Sequence, residues 1–300
     1  MMECKISFPK IFDNVEIYSN LSIESIKKMF FIRRLASVVG KNISIVNITY
    51  ITINKNTMDA KLLSSAPSVG MKYWQSGLWK HEQILDLNEI RPIYNREISF
   101  NKLTRQRYYS FLDDISATDS FVFEYGMGQY KDAFIVVLSS EKEIDISQLY
   151  YVMHEAVCHF YSRLQGIKTY FNLSKFVQSS DRCQLLDSKF NFYQLLKKNY
   201  EITRKNYDYL YGVMLGLSSQ QMSMLFNRSP RTIENSINRI KSKLGCLSKL
   251  ELQALMKVQY IQNVSHWIEQ NKKHIHLGAS GLIIDFVYPY TKSNRLSSAA

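Results

Sequence analysis

The stretch from Ser229 to Lys243 gathers side chains that can donate and accept hydrogen bonds and carry charge. Ser229 and Thr232 offer hydroxyls, Asn235 and Asn238 amides, and Arg231, Arg239, Lys241 and Lys243 cations, while Glu234 adds a carboxylate. An amide can bind an adenine edge bidentately, a guanidinium a guanine edge, and a carboxylate can accept from cytosine. Cations and hydroxyls hold phosphates, which set orientation, whereas base contacts set sequence. A second constellation, HEAVCH at 154–159, places Glu155 between His154 and His159. A metalloprotease helix needs its histidines four apart so that both nitrogens face one ion. Here they are five apart and the fourth residue is Cys158, leaving His154 and Cys158 as two ligands without visible partners; the segment reads as a half-buried helix with ordinary histidines. No P-loop, GxGxxG or GxSxG run occurs. The expectation is a non-enzyme with no catalytic residues, no metal and no cofactor.

The nine polar side chains need a rod to carry them. Ser229 as N-cap and Pro230 at the first helical position start a helix, because proline's missing N–H is not needed there. On a helical wheel Ile233, Ile237, Ile240 and Leu244 fall within an arc of roughly 60°, with Arg231, Asn235, Asn238 and Ser242 opposite. Asn and Ser are poor interior helix residues because they compete for backbone hydrogen bonds. Their clustering on one face implies that something uses their donors and acceptors. Just upstream, Ser218 and Gln221 have the spacing of a capping box, Met222, Leu225 and Phe226 supply packing groups, and Asn227 tolerates the left-handed conformation of a tight turn. Two short helices joined by such a turn, the second polar and basic, are the helix-turn-helix plan.

Residues 202–256 resemble the LuxR-type (FixJ/NarL-type) DNA-binding domain. The resemblance rests on Thr203, Gly216-Leu217-Ser218, Ser229, Thr232-Ile233, Lys243-Leu244-Gly245, Ser248 and Glu251-Leu252. The chain departs from the family pattern at Asn206, Ser223 and Arg228. The resemblance implies a four-helix domain with its recognition helix at 230–244 in the major groove of double-stranded DNA. Glu234, Asn235 and Asn238 match positions that meet bases; Ser229, Arg231, Thr232, Arg239, Lys241 and Lys243 match positions that hold phosphates. It also implies a homodimer joined through the fourth helix, from Ser248 to about Lys257, and RNA polymerase as a further partner.

The whole chain suits that reading. Its 300 residues allow two domains, and 38 Lys and Arg against 26 Asp and Glu give a formal charge of +12, which favours an acidic partner. Scattered cysteines without a CxxC pair, no visible signal peptide and no apolar run of membrane-spanning length point to a cytoplasmic protein away from the membrane. Helical spacing over 22–39, an alternating β-branched run over 41–54, a short strand near Lys61–Ser64, a helix around Val69–Trp79, two strands about a glycine turn over 120–140 and a helix over 147–165 outline an α+β domain. The expected fold is thus an α+β sensor-like domain, an antiparallel sheet flanked by helices, at 1–165; a linker at 166–200; an all-α four-helix helix-turn-helix domain at 201–257; and an extension at 258–300 with a strand over 282–290.

No acidic pair precedes residue 60 in the way a phosphoacceptor domain requires. The first domain resembles autoinducer-binding or PAS/GAF-like sensors in outline, which implies a small-molecule effector. Tyr73, Trp74 and Trp79 are the candidate pocket residues, although aromatic residues at helical spacing are also ordinary core. The Trp-x-x-x-Tyr and Asp-Pro pattern of lactone sensors is broken by Leu78, and no Asp-Pro occurs, so the effector expected is not a typical acyl-homoserine lactone. The competing reading is a protein-interaction regulator whose helix-turn-helix docks on a protein rather than on DNA.

Overall fold

A computed structural model describes residues 43–87, 89–140, 144–163, 171–172, 190–271 and 275. The helix expected over 22–39, the strand over 282–290 and most of the 166–200 linker lie outside these residues. Six strands, β1 (Ile43–Asn54), β2 (Asp59–Ser64), β3 (Tyr94–Asn95), β4 (Asp119–Met127), β5 (Tyr130–Ser140) and β6 (Phe171–Asn172), form one antiparallel sheet in the order β3-β4-β5-β1-β2-β6. The helices are α1 (Pro67–Ser76), α2 (Lys102–Asp114), α3 (Ile146–Arg163), α4 (Phe192–Tyr200), α5 (Arg204–Met214), α6 (Ser219–Phe226), α7 (Pro230–Lys243) and α8 (Lys249–Gln270). The architecture is the expected one, an α+β sheet domain followed by an all-α domain.

Strand periodicity divides the sheet into two buried faces. Phe121, Phe123 and Tyr125 of β4, Phe134, Val136 and Leu138 of β5 and Tyr50 of β1 point to one core, which α3 covers. Val122, Ala133, Ile135, Val137, Ile51 and Ile53 point to the other, beneath α1 and α2. The β4–β5 hairpin closes at Met127↔Tyr130 through Gly128 at φ +57°, a left-handed turn residue that glycine adopts without steric cost. Its base holds a fully buried ion pair, Lys131 Nζ to Glu124 at 3.0 Å. Such a pair survives burial only when its other hydrogen-bonding capacity is met. Lys131 also donates to the carbonyls of Asp86 at 2.7 Å and Glu89 at 2.9 Å, while Glu124 accepts from the Arg91 N–H at 2.8 Å and the Tyr94 hydroxyl at 3.1 Å.

Two helical expectations are corrected. The fourth helix of the all-α domain does not stop near Lys257: α8 runs to Gln270, with Leu252, Met256, Tyr260, Val264, Trp267 and Ile268 buried along one stripe. Residues 258–270 therefore belong to the same core, and the boundary expected at 257 falls inside a helix. The helix around Val69–Trp79 is interrupted at Gly77, φ +71°, after which Leu78–His81 continues as a 3-10 turn. The end of the expected linker is ordered too, as α4, whose buried Phe192 and Leu196 join the first core.

Candidate nucleic-acid interface

The helices beneath the interface are set by their caps. Thr203 Oγ1 accepts from the Asn206 N–H at 3.3 Å to start α5. Ser218 and Gln221 complete the reciprocal capping box of α6, at 3.1 and 2.8 Å, and Asn227 ends that helix at φ +49°. Ser229 Oγ accepts from the Thr232 N–H at 3.1 Å to start α7 behind Pro230. Gly212 lets α5 and α6 approach: a Cβ there would stand 2.6 Å from the Met222 sulfur. The turn between α6 and α7 is short because each end carries its own cap.

Ile233, Ile237 and Ile240 are buried beneath α7, and Leu244 packs partly buried at its C-cap. On the opposite face Arg231, Asn235, Asn238 and Arg239 are exposed, and none of their side chains has a hydrogen-bond or ion-pair partner among the described residues. Two amides and two guanidiniums thus lie together with their donors and acceptors turned to solvent.

The other five expected contact residues have partners within the chain. The hydroxyls of Ser229 and Thr232 lie 2.8 Å apart at the cap. Glu234 is close enough to Lys249 for their charges to interact; burial lowers the Lys249 pKa and the glutamate opposes that shift. This supplies a cation for the one carboxylate on the helix. Lys241 is half-buried and donates to the Leu247 carbonyl at 3.3 Å, and Lys243 pairs with Glu201 at 3.2 Å. Ser236 and Ser242 return their hydroxyls to the carbonyls of Thr232 and Asn238. Eight of the nine residues lie on α7 and Ser229 caps it, and the four side chains without a partner among the described residues form its exposed face. Sequence reading did not assign Arg228, which is exposed in the turn just before Ser229; a cation in a turn where the family has an apolar residue was the available signal.

The pocket candidates belong to the second core. The Tyr73 hydroxyl donates to Glu82, and Arg96 both pairs with Glu82 and lies 3.6 Å over the Tyr73 ring. Burial raises the Glu82 pKa, opposed by the adjacent Arg96. Trp74 and Trp79 stack at 4.1 Å, 2° from parallel. Glu82 and Arg96 gave no periodic signal, because charged residues inside a layer follow no pattern.

At the HEAVCH segment, Cys158 Sγ lies 3.6 Å from His154 Nε2 on α3. Burial pushes the Cys158 thiol up to about 12, and burial with the Lys257 charge lowers His154 to about 3. Both shifts favour the neutral forms, which makes the buried thiol a poor nucleophile. Among the described residues no three His, Cys, Asp or Glu side chains are grouped to hold a metal, and no helix is long and apolar enough to cross a membrane.

No protein-family model and no curated protein matches the chain. Among solved structures it is similar to Escherichia coli SdiA, with a TM-score of 0.34 and 9% identity, covering 86% of this chain and 97% of that one. It is also similar to SdiA in complex with octanoyl-rac-glycerol, with a TM-score of 0.33 and 10% identity, covering 78% of this chain and 88% of that one.

Proposed function

We propose that the chain is a dimeric, sequence-specific DNA-binding transcription regulator of the LuxR type. The observation that carries the reading is the face of α7 where Arg231, Asn235, Asn238 and Arg239 stand exposed, with no partner among the described residues, opposite a buried isoleucine stripe. Desolvating two amides and two guanidiniums is favourable only against a surface that returns their hydrogen bonds, and the edges and phosphates of a major groove do so. The +12 formal charge adds long-range attraction to such a polyanion. Dimerisation falls to α8, whose Leu250 and Val258 are exposed at 74% and 52%, eight residues apart and so on one side of the helix. Two copies would present α7 to half-sites about 10 base pairs apart in an inverted repeat. The sheet domain modulates this activity through a small molecule other than an acyl-homoserine lactone, held between the sheet and α1–α2, and RNA polymerase is the further protein partner.

The test is DNA affinity against salt. About six phosphate contacts give a log–log slope near −5, together with a preferred inverted-repeat site in a selection from random sequences. Weak, salt-insensitive binding with no preferred site would overturn the reading and leave α7 as a protein-docking surface.

A further inference from the structure

Domains within one chain ordinarily meet through modest, polar surfaces that permit relative motion; a large apolar junction is the exception. Here the sheet domain and the helix-turn-helix share one buried core, which runs from Phe134 and Tyr150 through Met153 and Val157 to Met214, Tyr211 and Tyr260. His154 of α3 and Tyr260 of α8, both fully buried, stack at 5.3 Å, and the Tyr260 hydroxyl lies 3.2 Å from that of Tyr211 on α5. Polar contacts ring this apolar centre. Cys158 Sγ donates to the Met214 carbonyl at 3.5 Å, Gln221 Nε2 to the Tyr161 carbonyl at 3.2 Å, and Lys257 Nζ meets both Glu155 oxygens at 3.1 and 3.2 Å. At the hairpin end, Gly128 fits so closely under Phe226 of α6 that a Cβ would stand 3.2 Å from its ring. The contacts therefore span α3, the β4–β5 turn, α5, α6 and α8.

None of the four unpaired residues of α7 takes part. Arg231, Asn235, Asn238 and Arg239 stay exposed while α5, α6 and α8 are held. The junction leaves the reading face open and grips the helices beneath it.

We propose that the sheet domain and the helix-turn-helix fold as one cooperative unit, the sheet domain serving as the foundation of the reading helix and not as a mask over it. Without the sheet domain, the sides of Met214 and Tyr260 that meet Cys158 and His154 would be open to water, and that exposure opposes an independently folded state. A change that stabilises the layer under α1 and α2 then stabilises α7 as well, since groups in one cooperative unit open together. The significance for DNA binding rests on the function proposed above; the coupling itself does not.

Native-state hydrogen exchange on the full chain tests it. Leu112 lies on the buried face of α2, in the far layer and away from the helix-turn-helix. Leu112→Ala should lower protection by the same factor, at least about tenfold, at the slowest amides of the sheet (Val136) and of the reader (Leu210 and Ile237). Loss at Val136 with Leu210 and Ile237 unchanged would overturn the proposal. If Leu112→Ala does not fold, Ile135→Val makes the same comparison with a smaller factor. Across the junction, Glu155→Lys should reduce protection at Leu210, and adding Lys257→Glu should restore it; no effect of the first change counts against the coupling. A chain with equal losses but no salt-dependent DNA affinity would refute the proposed function and leave the coupling standing.

Discussion

The carbonyl of Tyr161, near the end of α3, accepts a hydrogen bond from Gln221 Nε2 at 3.2 Å, while Oε1 of the same amide accepts from the Ser218 N–H at 2.8 Å. One side chain therefore caps α6 and ties it to the sheet domain. Gln221→Glu keeps the acceptor and loses the donor, bringing a carboxylate to face a carbonyl. It should cost about 1–2 kcal/mol in urea unfolding. Gln221→Ala loses both functions and should cost at least as much. If Gln221→Glu unfolds like the wild type, the interdomain bond contributes nothing.

Asn238 and Arg239 are neighbours with different expected partners. Asn238→Ala should lower affinity for the preferred site by about 1–3 kcal/mol and relax preference at one base pair, because a bidentate amide reads one base. Arg239→Ala should weaken preferred and random DNA alike and make the salt slope shallower by about one. Titrating both variants against a preferred and a scrambled duplex separates the roles. Equal losses on both duplexes from Asn238→Ala would remove it from base reading.

Lys241 is a weaker probe of phosphate contact than its charge suggests. Its ammonium already donates to the Leu247 carbonyl, just before the Ser248 cap of α8. Lys241→Ala should therefore lower stability slightly, by about 0.5–1.5 kcal/mol, as well as DNA affinity. A stability unchanged from wild type in thermal unfolding would show that the lysine is free for DNA.

Ile237 is the middle of the buried stripe under α7, at 4% exposure. Ile237→Ala should destabilise by about 2–5 kcal/mol through lost transfer energy and a residual cavity. DNA affinity should then fall even at temperatures where the chain stays folded, since that stripe seats α7 on the helices beneath it. Chemical denaturation and DNA titration at low temperature check the two effects separately.

Helix α7 was legible in the sequence because three independent local signals agree there. Ser229 and Pro230 mark its start, four apolar residues fix its buried side, and the capping box of Ser218 and Gln221 places the partner helix. The central strands were legible for a similar reason, since Ile43–Asn54 and the hairpin around Gly128 show alternation and turn chemistry. What failed to show was long-range. The stripe Tyr260, Val264, Trp267 and Ile268 continues that of Leu252 and Met256, but a boundary drawn from the family pattern cut the helix at 257. The Glu82–Arg96 pair under Tyr73 and the Glu124–Lys131 pair in the hairpin are charges buried by partners distant in sequence, and no local period announces them. The joining of the sheet domain to the helical domain is likewise a tertiary fact, since His154 and Tyr260, which stack, are 106 positions apart in sequence.

His154 makes that junction sensitive to acid. It is fully buried among Tyr125, Tyr150 and Tyr260, with Cys158 on its own helix and the Lys257–Glu155 pair beside it. Burial first, and the Lys257 charge second, lower its pKa from 6.5 to about 3. A histidine with a depressed folded pKa stays neutral in the native chain while the unfolded chain takes up a proton, so unfolding binds protons between these two values. Its contribution to stability is therefore full above pH 6.5 and is lost progressively as pH falls toward 3, at up to about 1.4 kcal/mol per pH unit. The carboxyls of buried Glu82 and half-buried Asp208, whose pKa values burial raises, act with the opposite sign above their ordinary values, so the wild-type profile alone is ambiguous. His154→Phe keeps a planar ring and removes the titration together with the pH-independent contact to Cys158, so the change in the difference with pH reports the titration. Denaturant unfolding of both chains from pH 7 to pH 5 should show the difference between them moving in favour of the variant by about 2 kcal/mol. Parallel profiles would mean that His154 gains its proton as readily in the folded chain as in the unfolded one, and would overturn its role in acid sensitivity.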